Sequence, residues 1–169
     1  MDTPTADAAT PLPANPREHL SSPTTRAVLR VQHTMLDAAR EHLRDRGFTE
    51  MLPPIIGPVT DPGARGFYDK ESREHPGHLR NFDLLAPEGY GELCSGSERE
   101  HEYGAIIARM RETGENPAKY GWYLKMVREG IPGSAGFGIG LERLTRYVTG
   151  LEHVWQASAY PKVPGVVSP

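Results

Sequence analysis

The sequence predicts an α+β fold, an antiparallel sheet flanked by helices over residues 23–46, 98–113, 117–129 and 141–149. Three observations carry that expectation. Apolar residues recur at helical spacing behind Ser22-Pro23, two short strand-like runs flank the turn sequence Pro87-Glu-Gly-Tyr90, and glycines alternate along 134–140 just before another helical stretch. A chain of 169 residues makes one domain at most, because domains run to roughly 100–200 residues. Its 18 glycines and 16 prolines point to many turns or an unstructured segment and away from an all-helical bundle.

Residues 1–22 hold Pro4, Pro11, Pro13 and Pro16 among Ala, Thr, Asp and Ser, with Leu12 and Leu20 as the large apolar residues after Met1. So little apolar surface cannot offset the entropy of ordering, and a disordered tail is expected there, with the ordered domain over 23–169. Ser22 can cap a helix and Pro23 fits its first position, where a missing N–H costs nothing. Val28, Val31, Met35 and Ala38 set the helical period, Leu29, Leu36 and Leu43 widen the stripe, and Gly47 supplies the stop.

The run 48–56 reads as a strand, confined to an edge or an interface because Pro53 and Pro54 cannot donate to a ladder. Between Thr60 and Arg80, Asp61-Pro62-Gly63, Gly66 and Pro76-Gly77 predict loops with at most one short strand. Residues 81–86 and 91–95 then make an antiparallel pair. The helix over 98–113 should turn Tyr103, Ile106, Ile107 and Met110 to one side, and Gly114 should stop it. Asn116-Pro117 opens a second helix, lined by Tyr120, Tyr123, Leu124 and Val127 and ended by Gly130. No internal repeat is present.

The composition excludes several classes of function. A net charge of −3 argues against a protein that coats nucleic acid. No apolar stretch approaches the ~20 residues of a membrane span, and the N-terminus lacks a basic start followed by an apolar core. The lone Cys94 cannot form an internal disulfide. A soluble, cytoplasmic protein without a membrane partner is expected.

Two constellations could carry chemistry. Gly136-Phe-Gly138-Ile-Gly140 lacks the third glycine of a dinucleotide fingerprint, because Leu141 occupies its place, and it lacks the Gly-Lys-Ser/Thr of a P-loop. Glycines alternating along a strand leave one face bare, either for close packing or so that a flat ring can lie on the backbone. Arg143 follows in the first turn of the next helix, where a planar multi-donor group can reach a phosphate. The second constellation runs from Asp83 through Glu92, Ser95 and Arg99. Glu92 and Cys94 are expected on opposite faces, with Asp83 beside Glu92 across the strand pair. Two facing carboxylates either pair with solvent and cations of the protein or hold a hard ion, and Mg²⁺ shared with substrate phosphates suits them.

These residues stand in a pattern that resembles a known family. The segment from Gly136 through Arg143 to His153, followed by Tyr160-Pro-Lys-Val-Pro-Gly165, resembles motif 3 and the C-terminus of class II aminoacyl-tRNA synthetases of the aspartyl/asparaginyl branch. Phe82-Asp-Leu-Leu and Gly91-Glu-Leu-Cys-Ser-Gly-Ser-Glu-Arg99 look like the strand pair before it, and the likeness extends to Gly47-Phe48, Leu52-Pro-Pro, Thr60-Asp-Pro62 and Phe67-Tyr-Asp-Lys70. The closest likeness is to archaeal asparagine synthetase-like proteins, relatives without an anticodon domain. The resemblance implies a reduced class II sheet and ATP-dependent activation of aspartate, asparagine or a similar amino acid as an acyl-adenylate. It further implies that Asp83 and Glu92 hold Mg²⁺ against ATP, that Gly136, Gly138 and Gly140 line the nucleotide site, and that Arg143 grips the terminal phosphate. Arg99, with Ser95, would read the amino acid.

The departure from the family is a missing segment. Thr60-Asp-Pro-Gly-Ala-Arg-Gly-Phe67 joins directly two regions that motif 2 separates in the family, and no Phe-Arg-x-Glu occurs anywhere in the chain. The arginine on the α-phosphate is thereby absent. A homodimer through the motif 1 region, or a heterodimer with a fuller paralogue, is expected, with no stable tRNA complex. The alternative is a catalytically weak ATP-binding or scaffolding paralogue acting through its dimer surface.

Overall fold

The computed structural model describes residues 16–52 and 69–161. In chain order the elements are α1 (Pro16–Ser21), α2 (Pro23–Asp45), β1 (Asn81–Ala86), β2 (Gly91–Arg99), α3 (Tyr103–Glu112), α4 (Gly121–Gly130), β3 (Ser134–Ile139) and α5 (Leu141–Thr149). Short 3-10 turns at Pro117–Tyr120 and Val154–Ala157 complete them. The chain divides into two compact units, one containing α1, α2 and α5, the other the sheet with α3 and α4. Among the described residues no helix is long and apolar enough to cross a membrane.

In the first unit α2 forms as its caps dictate. The Ser22 hydroxyl accepts the Thr25 N–H at 3.5 Å, Pro23 occupies the first turn, and Gly47 closes the far end with φ +81°. Val28 is buried and Val31, Met35 and Leu36 are half-buried, while residues 37–50 are exposed, so only the first half of the stripe packs. It packs on α5 and the turn after it, where Gln32 Nε2 donates to Thr145 Oγ1 at 3.3 Å and to the Ala157 carbonyl at 3.2 Å.

Residues 16–21, expected in the unstructured tail, instead form α1; residues 1–15 lie outside the described residues. The anchor is buried His19, whose Nε2 donates to the Ser158 carbonyl at 2.8 Å. A search for apolar residues passes over a histidine anchor. The strand expected over 48–56 is absent from its described part. Phe48 and Leu52 are 64% and 95% exposed and pair with no strand, and 53–56 lie outside the described residues.

The second unit is built on a three-stranded antiparallel sheet in the order β1-β2-β3. Its first turn closes through the Tyr90 N–H to the Pro87 carbonyl at 3.2 Å, with positive φ at Glu88 and Gly89. That is the type I′ geometry whose twist suits a hairpin. Leu84 pairs with Cys94 but Leu85 with Glu92, so Leu93 is an extra residue, and its carbonyl accepts the Gly140 N–H at 2.9 Å. This bulge decides which side chains share a face. In a regular strand Glu92 and Cys94 would share one, being two apart; the bulge puts them on opposite faces as expected, for a reason that alternation does not supply.

The helix expected from Glu98 begins only at Tyr103. Glu98 and Arg99 end β2, because Ala135 and Ser134 pair with them and the Lys70 N–H donates to the Glu98 carbonyl at 2.9 Å. The loop 69–80 contributes isolated bridges Asp69 to Arg99 and Glu71 to Leu79. α3, α4 and the 3-10 turn between them form the unit's apolar core through Ile106, Met110, Tyr120, Leu124 and Val127, with Tyr103, Ile107 and Tyr123 packed against it. Gly114 and Gly130 end the two helices with φ of +74° and +94°. Asn116 caps the 3-10 turn Pro117–Tyr120, its side chain accepting the Ala118 N–H at 3.0 Å, and the α-helix expected from 117 begins only at Gly121.

Candidate active site

The strand register sorts the candidate residues. Side chains directly opposite one another point the same way, so Asp83 shares its face with Ser95 and Gly138, and Ser97 shares that face with Gly136. Glu92, opposite Leu85, joins them because of the bulge at Leu93. The other face carries Phe82, Gly96 and Phe137. A Cβ on Gly96 would come within 2.7 Å of Phe137 Cβ, Phe82 Cε1 and the Gly136 carbonyl oxygen.

On the first face the floor is open. Among the described residues a Cβ on Gly136 or Gly138 would meet nothing within 4 Å, which leaves the backbone of β3 open there to a flat group lying on it. Asp83 and Ser95 are exposed and Glu92 half-buried. Asp83 does not stand directly across from Glu92, as expected; it pairs with Ser95, and the two carboxylates are diagonal neighbours. No cluster of three or more His, Cys, Asp or Glu exists among the described residues. A protein-only cage is therefore not what this face provides. A pair of carboxylates fits Mg²⁺ whose remaining positions belong to water and phosphate.

Arg99 ends the same row of β2. Its Nη1 donates to Asp69 Oδ1 at 3.0 Å, and the Ser97 hydroxyl donates to the same oxygen at 2.5 Å. Arg109 of α3 holds this segment, donating to the Asp69 carbonyl at 3.0 Å and standing 3.5 Å from Glu71 Oε2. Sequence reasoning assigned nothing to Asp69, Ser97 or Arg109; the one signal was Asp69's place in the Phe67-Tyr-Asp-Lys70 segment. Tyr123 of α4 is held above the ordinary phenol range by burial, an effect that the nearby Arg99 charge opposes. On the opposite row, Glu98 accepts from Lys70 Nζ at 2.9 Å and lies 2.6 Å from Arg80 Nη1. The Lys70 hydrogen bond first, with the Arg80 charge, lowers the Glu98 carboxyl below its usual value.

Gly140 lies just beyond β3, tied by its N–H to Leu93. Arg143 is exposed in the first turn of α5, in the first unit.

Comparison with known proteins follows the same outline. Residues 66–164 match the family model of tRNA synthetases class II (D, K and N). The asparagine–tRNA ligase of Thermococcus gammatolerans is 44% identical over 105 residues, which are 62% of this chain and 24% of that protein. A crystal structure of asparaginyl-tRNA synthetase from Pyrococcus horikoshii superposes with a TM-score of 0.59 at 32% identity, covering 79% of this chain and 36% of that one. The Entamoeba histolytica asparaginyl-tRNA synthetase in complex with asparaginyl-adenylate gives 0.57 at 32% identity over 62% and 24%. The chain thus spans about 24% of the length of the curated relatives it matches.

Proposed function

This chain belongs to the class II tRNA synthetases of the D, K and N group, and from that membership we propose that it binds ATP·Mg²⁺ and an amino acid and serves acyl-adenylate formation together with a partner chain. The observation that supports the reading is that one face of the sheet holds Asp83, Glu92, Ser95 and Arg99 beside the bare glycines of β3. Gly136 and Gly138 offer a floor to the adenine, and Asp83 and Glu92 hold Mg²⁺ against the phosphates. The cation neutralises phosphate charge when bound. Arg99 and Ser95 receive the amino acid. Arg143 takes the terminal phosphate, and Gly140 completes the nucleotide segment, both on the motif they belong to.

In adenylate formation the substrate carboxylate attacks the α-phosphorus, and the bond to the departing pyrophosphate breaks. Negative charge builds on the α-phosphate oxygens, and an arginine aimed there lowers the barrier. The chain contains no Phe-Arg-x-Glu to supply one. Losing one such donor costs about 10²–10³ in rate, which is why the reading includes a partner, a second copy or a fuller paralogue bearing the segment. An arginine can be lent in trans. The work is assigned to the cytoplasm.

The test is thermal. A ligand bound only by the native state raises the melting temperature, so millimolar ATP with Mg²⁺ should raise that of the wild type. Arg143→Ala should lose the rise while its unliganded melt stays nearly unchanged. No rise in the wild type would favour the second reading, a scaffolding paralogue without nucleotide chemistry, to which the missing motif 2 also points.

A further inference from the structure

Asp69 lies 30 positions from Arg99 in the chain, yet a backbone bridge joins the two. Its position is overdetermined, because Ser97 and Arg99 both donate to Oδ1 and Arg109 holds its carbonyl. The side chain of Asp69 is 16% exposed, that of Arg99 39%. The carboxylate is thus the sheltered member of the pair and the guanidinium the member that solvent and ligands reach.

That arrangement changes what Arg99 can recognise. A bare guanidinium prefers a carboxylate, which it binds through two parallel N–H bonds. Here one N–H is committed to Asp69, and a ligand carboxylate at the remaining donors would be brought up against the Asp69 carboxylate. Like charges that close oppose each other's ionisation. A carboxamide meets no such penalty. Its oxygen accepts from Arg99, and its NH₂ group donates to an Asp69 carboxylate oxygen, matching donor to acceptor at both atoms.

Resting on the reading of Arg99 as an amino-acid contact, we propose that Asp69 is a specificity-determining residue: it neutralises Arg99 and makes the subsite select an amino acid with a carboxamide side chain over its carboxylate counterpart. The discrimination comes from an acceptor built into the site, the kind of difference that separates polar isosteres far better than shape does.

The experiment is calorimetric titration of the full chain, without nucleotide, with L-asparagine and L-aspartate. The wild type should bind asparagine at least about tenfold more tightly than aspartate. In Asp69→Asn, which keeps the volume and removes the charge, that ratio should collapse towards one or invert. Asp69→Ser is a second variant in case the first does not fold, and a melt of each establishes the fold. A wild-type ratio near one, an unchanged ratio in a folded variant, or no binding of either amino acid at millimolar concentration would each overturn the proposal. The ATP·Mg²⁺ melting shift, taken on the same samples, reads the nucleotide reading separately. A shift with a flat amino-acid ratio sinks the role of Asp69 alone, and a changed ratio without any shift sinks the nucleotide reading alone.

Discussion

Gly96, Gly136 and Gly138 lie on neighbouring strands and answer a methyl group in opposite ways. Gly96→Ala drives a Cβ to 2.7 Å from backbone oxygen and two aromatic side chains, and overpacking of this kind costs about 1–3 kcal/mol; urea denaturation should show that loss. Gly138→Ala has free space. Its fold should be as stable as the wild type or slightly more so, since a methyl group restricts the unfolded chain, while the ATP-induced melting shift falls because the floor is no longer flat. Glu98 provides a pH test. Its carboxyl is lowered by Lys70 and Arg80, so its contribution is present above the unfolded carboxylate pKa and disappears as the pH falls through the lower folded value. Glu98→Gln should flatten the acid limb of a melting-temperature profile and leave the alkaline limb unchanged. Leu93 shows how much one residue can decide. Were it paired regularly with β1, plain alternation would send Glu92 to the face of Cys94, away from Asp83, whereas its deletion would remove the bulge and leave Glu92 on the face of Asp83.

At the scale of elements, the second unit stands on the contact between α3 and α4. Ile106 and Met110 are fully buried there, and truncating either to Ala should cost about 2–5 kcal/mol, measurable as a lower urea midpoint with the same slope. These helices were readable in the sequence because spacing and stop glycines act locally, as they do for α2 between Ser22 and Gly47. The end of β2 was not. Glu98-Arg99 suits a helix start, and it becomes strand only because residues 134–135 and 69–70, remote in sequence, pair with it. The same physics separates the legible part of the candidate site from the rest. Asp83, Glu92 and the β3 glycines announce themselves by type and spacing, whereas the engagement of Arg99 by Asp69 exists only once the bridge has formed.

For the molecule as a whole, charge and the missing segment govern what can be expected. A net charge of −3, with Arg26, Arg30, Arg40, Arg44 and Arg46 strung along and just past α2 and no basic cluster among them, should give no tight tRNA complex. A gel shift at submicromolar protein checks this, and a salt-sensitive shift with one cognate tRNA would contradict it. The purified chain should show little or no amino-acid-dependent ATP–pyrophosphate exchange, and a chain bearing motif 2 should restore it. Robust exchange by the chain alone, lost in Glu92→Ala, would mean that an arginine such as Arg73 or Arg80 has taken the missing part. The first unit also sets an order of events during synthesis. Gln32 finds Thr145 and Ala157 only 113 and 125 residues later. At roughly 5–20 residues per second, the nascent α2 waits roughly 6–25 s for its partners. Through that interval the stripe of Val28 and Val31 is open to whatever the cell offers, so chaperone demand on this chain should rise when translation slows between codons 32 and 157.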